Sequence, residues 1–393
     1  MAYQRSIVEI IRNRIEEQRH FIQIIIGPRQ TGKTTAVNQA VAQAGCPGVF
    51  AEATKGESTP DWIRAQWYRA RNMFAALQLP VLLVIDEVQY IRGWSSVVKT
   101  LWDEDTRDGV QVKAILLGSS ATLIHDGLSE SLMGRFELIH SPHWSYAECA
   151  DAFGYSLEDY LYFGGYPGAA ILKDDERRWF NYMHSSIIDP SIVNDALQLA
   201  DVRKPELMRR LFEVGAAYSG QEVSYRKLLG QLDDRGNAAT IAHYLSLLSE
   251  AGLMSGLQKY DPKHLREKAS SPRLIVHDTS LMVAEFGRNR SALLTDPALR
   301  GRLVESAVGA HLINRATIEG FSVHWWRDGN DEVDFVIADK DAVTAIEVKS
   351  GRVKPTKGMT RFLLENPQAH SIVVGSAECS IERFLLGETE LFV

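Results

Sequence analysis

Cysteine is scarce: the 393-residue chain has three, Cys46, Cys149 and Cys379, far apart and without a CxxC pair. That spacing supplies neither a structural zinc site nor a disulfide framework, and it fits a reducing, cytoplasmic setting. Long apolar runs are missing as well. The longest stretches, such as Ile24 to Ile26 and Val81 to Ile85, fall far short of the about 18 residues that a membrane span requires. The amino-terminal text MAYQRSIVEIIRNRIEEQRH carries charges throughout and so lacks the apolar centre of a secretion signal. Basic charge is not in excess either. With 43 Lys+Arg against 50 Asp+Glu the net charge is −7, so no global field draws the chain to nucleic acid and any such contact needs a local patch. Neither HExxH nor the HxE with PCxxC pattern occurs, which excludes zinc metalloproteases and zinc deaminases of those types.

What is present is ordinary globular text, 45% hydrophobic and 24% charged. At about 150 residues per domain, the length suggests two or three domains. From Phe21 to about Ile139, short β-branched runs (FIQIII, VLLVID, AILLGS) alternate with amphipathic stretches, which is the pattern of buried parallel strands joined by helices. Aromatic-rich helical text broken by GGYPG follows and reads as a small helical lid. Three helices and a strand between Lys204 and Tyr260 suggest a winged helix-turn-helix, with Ile241, Tyr244, Leu245 and Leu248 forming one apolar stripe. A Pro/Lys/Ser-rich connection then leads to a second mixed α/β region. The predicted fold class is α/β, with an amino-terminal core over 1–144, a lid over 145–200, a winged helix over 201–270 and a last domain over 271–393; motifs in the first and the last, not their periodicity, give these the fold names P-loop NTPase and restriction-endonuclease-like.

IIIGPRQTGKTT places Gly27-x4-Gly32-Lys33-Thr34 directly after an apolar strand and before a helix, the context that a phosphate-binding loop needs. Glycines let backbone amides wrap a phosphate chain, Lys33 can reach the β/γ-phosphates, and the Thr34 hydroxyl can ligate Mg²⁺. The expected cofactor-binding set is Gly27, Pro28, Arg29, Gln30, Thr31, Gly32, Lys33, Thr34, Thr35, Asp86 and Ser119. VLLVIDEVQ ends a strand in Asp86, a candidate holder of the metal's water shell, with Glu87 beside it to polarise the attacking water. Paired acids favour hydrolysis over nucleotide storage. Ser119 and Ser120 end the next strand, either as γ-phosphate sensors or as a helix N-cap. Arg135, just before a further strand, can neutralise transition-state charge in a neighbouring subunit or form a surface ion pair.

GPRQTGKTT, IDEVQ, GSS, GRFELIHSPHWSYAE and FGGYP, in this order, resemble the prokaryotic AAA-type ATPases that carry a C-terminal DUF4143 region. The resemblance covers nearly the whole chain and implies ATP and Mg²⁺ as cofactors. One departure is Pro142-His143-Trp144-Ser145-Tyr146-Ala147-Glu148, with His-Trp where the family has a leucine, which loosens lid packing arguments. No second sensor arginine is evident, since Arg177 and Arg178 lie in an ordinary charged run.

The last domain carries a second constellation. Asp334 opens one strand, Glu347 and Lys349 share one face of the next, and Glu305 sits on an upstream helix. The order Glu, Asp, Glu-x-Lys resembles the PD-(D/E)xK nuclease core, in which acids bind Mg²⁺ and lysine activates water. That implies Glu305, Asp334 and Glu347 as metal ligands, Glu347 and Lys349 as catalytic groups, and Mn²⁺ as an alternative ion. A structural ion network on a non-catalytic relative of that fold is the other reading. DNA is the expected partner, through a local patch of Lys263, Arg266, Lys268 and Arg273 set against Asp261 and Glu267, although a solvated linker explains the same charges. A homo-oligomer without membrane association is expected.

Overall fold

The computed structural model describes residues 3–119, 132–196, 202, 204–232, 237–262, 271–351 and 357–392. The chain divides into two compact units, residues 1–141 with 197–201, and residues 142–196 with 202–393. In the first unit, helix α1 (Ser6–Glu16) precedes β1 (Ile22–Gly27), α2 (Lys33–Ala44), β2 (Gly48–Glu52), α3 (Pro60–Leu77), β3 (Val81–Asp86), α4 (Trp94–Asp108), β4 (Val112–Ser119) and β5 (Phe136–His140). The five strands form one parallel sheet in the order β2-β3-β4-β1-β5.

Successive side chains of a strand point to opposite faces, and β1, apolar up to Ile26 except for the buried Gln23, puts isoleucines on both. Ile22, Ile24 and Ile26 join one core with Trp67, Trp94 and Leu101, whereas Ile25 joins the other with Ile7, Ile11 and Val37. A strand covered on both faces has no polar side to alternate with. Each such isoleucine contributes about 2 kcal/mol by burial. The carboxyl ends of the strands, where open parallel sheets receive ligands, carry the loop after Gly27 and the acid Asp86.

The second unit opens with α5 (Tyr146–Phe153), α6 (Leu157–Phe163), the short α7 (Pro167–Ala170) and α8 (Glu176–Tyr182), followed by two π-helical turns. The segment expected as a lid thus belongs to this unit from Pro142 onward. It continues as α9 (Pro205–Ala217), β6 (Gln221–Glu222), α10 (Tyr225–Gln231), α11 (Ala238–Glu250), β7 (Met254–Leu257) and β8 (Arg273–Val276). These strands make a three-stranded antiparallel sheet in the order β6-β8-β7. Because β8 completes that sheet, Arg273 belongs to it and not to the last domain. Next come α12 (Thr279–Phe286), α13 (Arg290–Thr295) and the long α14 (Pro297–Glu319). The chain ends with β9 (Ser322–Asp328), β10 (Asp331–Asp339), β11 (Ala342–Val348), α15 (Lys357–Glu365), β12 (His370–Val374) and α16 (Ile381–Leu385), whose strands order β12-β11-β10-β9.

The GGYP turn explains itself in this packing. Asp278, almost fully buried, accepts from the Gly165 amide at 2.7 Å and from the Ser280 amide at 2.9 Å. Gly164 has φ +65°, and a Cβ there would collide with the Asp278 carboxylate, so glycine is required both for conformation and for space. The His-Trp departure is packed rather than loose. His143 is buried with Nε2 2.7 Å from the Gly252 carbonyl oxygen, and Trp144 stacks on Phe153 with ring centres 5.1 Å apart.

Candidate nucleotide site and C-terminal acid cluster

The phosphate loop is shaped by two left-handed residues, Gln30 at φ 61° and Gly32 at φ 85°. Gly27 is needed for close approach, because a Cβ there would run into the Ser141 carbonyl. Lys33 opens α2 and its ammonium donates to the carbonyls of Gly27 (3.0 Å) and Pro28 (2.7 Å), so it lies within the loop. Thr34 Oγ1 donates to Asp86 Oδ2 at 2.5 Å, which joins the hydroxyl expected to ligate a metal to the acid at the end of β3. Both line a cavity of about 230 Å³ with Asn38, Phe50 and Glu52.

Glu87 follows at φ 53°, a conformation costly for a non-glycine residue and typical of strained functional positions. Its carboxyl is pushed above the usual glutamate range, first by burial and further by Asp86, while Arg29, Gln89 and Lys33 pull it down. Gln89 donates to Glu87 Oε2 and so fixes the rotamer. Gln89 stood in the motif, yet its role in holding Glu87 depends on the turn that folds it back. Ser119 is buried and registers opposite Gly27 across the β1-β4 pair, beside the start of the loop. Ser120 lies outside the described residues.

Arg135 sits elsewhere. Its carbonyl accepts from the Ile22 amide, at the amino ends of β1 and β5, about 16 Å of strand away from the loop of the same chain. Its guanidinium makes a two-pronged pair with Asp103 on α4, at 2.6 and 3.0 Å. Sequence reasoning also missed Arg5. Its side chain is buried and donates to the Thr31 carbonyl (3.2 Å) and the Ser141 hydroxyl (3.3 Å), buttressing the phosphate loop from behind. No local motif marks it, since only the fold brings position 5 to position 31.

In the second unit the expected acids do gather. Asp334 Oδ2 accepts from the Val348 amide at 2.8 Å, and Lys349 Nζ donates to Glu347 Oε1 at 2.6 Å. A fifth residue joins them. Arg273 Nη2 donates to Glu305 Oε1 and, at 3.2 Å, to Asp334 Oδ1, while its Nε donates to the Gly220 carbonyl at 3.0 Å. Arg273 is thus buried in the acid cluster and is removed from the expected DNA patch, whose Lys263, Arg266 and Lys268 lie outside the described residues. Burial holds the Glu305 and Glu347 carboxyls above their usual range, Asp334 adds to both, and Arg273 and Lys349 respectively oppose it. Among the described residues, no group of three or more His, Cys, Asp or Glu is arranged to hold a metal ion. Nor is any helix among them long and apolar enough to cross a membrane.

Comparison with known proteins finds three matches along the chain. Residues 19–150 match the AAA domain family, 154–292 a domain of unknown function (DUF8612), and 300–384 a domain of unknown function (DUF4143). An uncharacterised Haemophilus influenzae protein is 24% identical over 84% of this chain and 82% of its own length. The uncharacterised MJ1544 of Methanocaldococcus jannaschii is 23% identical, and the match covers 65% of this chain and 58% of that protein. Among solved structures, Aeropyrum pernix ORC1 in complex with DNA is 12% identical over 73% of this chain and 92% of its own (TM-score 0.31). AMPPCP-bound DnaA from Aquifex aeolicus is 16% identical over 62% and 86% (TM-score 0.31). At such scores neither likeness carries weight. The family match and the loop geometry do: residues 19–150 form an AAA-type P-loop NTPase domain.

Proposed function

We propose that this chain is a Mg²⁺-dependent ATPase whose nucleotide state governs a DNA-binding module of nuclease-like shape that does not cut. The observation that carries the ATPase reading is the 2.5 Å bond between Thr34 Oγ1 and Asp86 Oδ2 at the mouth of the phosphate loop. Two hard oxygen donors suit Mg²⁺, so Thr34 and Asp86 would hold it. When bound, the ion supplies charge neutralisation at the β- and γ-phosphate oxygens. Lys33 would exchange its two backbone carbonyl acceptors for phosphate oxygens. Glu87, with its carboxyl raised by burial, is suited to take a proton from the attacking water, and Gln89 holds it in position. Ser119 would read the γ-phosphate. Arg135, remote from its own loop, would complete the site of an adjacent copy, which makes the active form an oligomer.

DNA is supported by the second unit's order of helix, strand, two helices and two strands with the β6-β8-β7 sheet, the arrangement of a winged helix. The exposed positions of α11 include Ala239, His243 and Ser246 and carry no Lys or Arg, so contact is assigned to the β7-β8 connection with Lys263, Arg266 and Lys268. The order α14, β9, β10, β11, α15, β12 and the gathering of Glu305, Asp334, Glu347 and Lys349 support the nuclease-like shape. A second reading, metal-dependent cleavage by Asp334, Glu347 and Lys349 with Mg²⁺ or Mn²⁺, is disfavoured by Arg273, which bonds two of the three expected ligands. These residues do not fit a metal.

The test is ATP hydrolysis with and without single-stranded, duplex and branched DNA, alongside a cleavage assay in Mg²⁺ or Mn²⁺. DNA-stimulated hydrolysis without cleavage is expected. Glu87→Gln should retain ATP binding and lose turnover by on the order of 10²–10⁴-fold. Normal turnover in Glu87→Gln would remove that residue from the mechanism, and cleavage abolished by Lys349→Ala would establish the second reading.

A further inference from the structure

We infer that Arg273 is a built-in cation for the C-terminal acid cluster, taking the place of a divalent metal and joining the three-stranded sheet to the domain that follows. The inference rests on reading that domain as a non-cleaving module. Arg273 cannot lose its proton in a protein, so it is a permanent positive charge. Its backbone is held on both sides, paired with Glu222 in β6 and Leu257 in β7. Its side chain is 6% exposed and spends three donors on Gly220, Glu305 and Asp334.

The turn that receives it is equally tied down. Gly220 has φ +84°, and a Cβ there would come within 3.2 Å of Glu305 Oε1. Ser219 Oγ and Ser306 Oγ are 2.8 Å apart, and Arg302 on α14 donates to the Ala217 carbonyl. The guanidinium is therefore part of a fixed joint rather than a surface group that could swing aside.

A magnesium ion needs about six oxygens in octahedral array near 2.1 Å. Each expected ligand is already spoken for. One Glu305 oxygen and one Asp334 oxygen take Arg273, the other Asp334 oxygen takes the Val348 amide, and one Glu347 oxygen takes Lys349. What remains is Glu347 Oε2, buried without a hydrogen-bond partner among the described residues, and the second, partly exposed Glu305 oxygen; two oxygens from two carboxylates fall well short of six. A metal would also face the like charge of the guanidinium.

The experiment titrates Mn²⁺ into the nucleotide-free full-length chain and follows free Mn²⁺ by electron paramagnetic resonance, up to about 1 mM, the weak end of divalent protein sites. Wild type and Asp334→Asn should bind Mn²⁺ identically, because the cluster contributes no site. Arg273→Met should gain an additional equivalent of Mn²⁺ that disappears when Glu347→Gln is added. Mn²⁺ binding by wild type that Asp334→Asn abolishes would overturn the inference, and this comparison decides the matter even if Arg273→Met fails to fold. Cleavage is read separately. A chain that binds Mn²⁺ at these acids without cutting DNA defeats the inference and spares the non-cleaving reading, whereas cutting without Mn²⁺ binding there does the reverse.

Discussion

The nucleotide loop and the C-terminal cluster are built from the same inventory, carboxylates with a nearby cation, and the structure uses them in opposite ways. At the loop, Lys33 donates to two backbone carbonyls and Thr34 to one carboxylate oxygen. Such partners can be exchanged for phosphate and metal at little cost, since each intramolecular hydrogen bond is worth about 1 kcal/mol net. At the cluster, Arg273, Glu305 and Asp334 satisfy one another while buried. There, withdrawing one partner leaves an uncompensated charge. A site for a ligand keeps its charges provisionally paired, and a structural network closes them.

The sharpest way to break this contrast is to remove the cation from each. Arg273→Ala should destabilise the second unit by about 3–5 kcal/mol, the range for breaking a buried ion pair. Lys33→Ala should change the unfolding midpoint little while weakening MgATP binding. Calorimetry with and without MgATP measures both, and a Lys33→Ala variant as unstable as Arg273→Ala would dissolve the distinction.

Gly164→Ala places a Cβ against Asp278 at a positive φ and should cost about 1–3 kcal/mol, measured by urea unfolding. Adding Asp278→Ala does not restore stability, because the Gly165 and Ser280 amides then lose their acceptor.

Acidity gives a graded effect. His277 and His311 are buried and held down to about 3, so both are neutral when folded above that pH. The unfolded chain takes up protons near 6.5, so stability is unaffected above that value and falls between 6.5 and about 3, at roughly 1.4 kcal/mol per pH unit for each histidine. His311→Gln should remove that histidine's share of the slope, read by chemical denaturation at stepped pH. If Glu87 takes the proton from water, its raised carboxyl should move the acid limb of ATP hydrolysis upward from the ordinary glutamate range, and Glu87→Gln should remove that limb.

The smallest effect concerns Arg135. Its half-exposed pair with Asp103 is worth about 0–1 kcal/mol, so Asp103→Asn should barely alter stability. If Arg135 serves an adjacent copy, mixing Arg135→Ala with Glu87→Gln chains should partly restore hydrolysis. A verified mixed oligomer without rescue would make Arg135 a brace only.

Much of the nucleotide site was legible because its chemistry is local. Gly27 through Thr34 are contiguous, and Asp86 closes the strand Val81–Asp86 after five apolar residues, with Glu87 next to it. Contiguity means that one strand and one turn settle the geometry, whatever the rest of the chain does. Gly164 and Gly165 were visible as a motif, but their reason, the Asp278 carboxylate, lies more than a hundred residues onward. Arg273 was read as part of a basic connection, since its neighbours in sequence are Lys263, Arg266 and Lys268. Burial under β6 and β7 made it something else.

The sequence by itself determined the parallel sheet, the phosphate loop and the order of acids, because hydrophobic period and glycine placement act over a few residues. Only the tertiary structure decided which charges meet. Arg5 reaches Thr31, Arg135 is carried to the far end of its strand, and Arg273 closes on Glu305 and Asp334, because an ion pair depends on distance in space, which the order of residues along a chain does not contain.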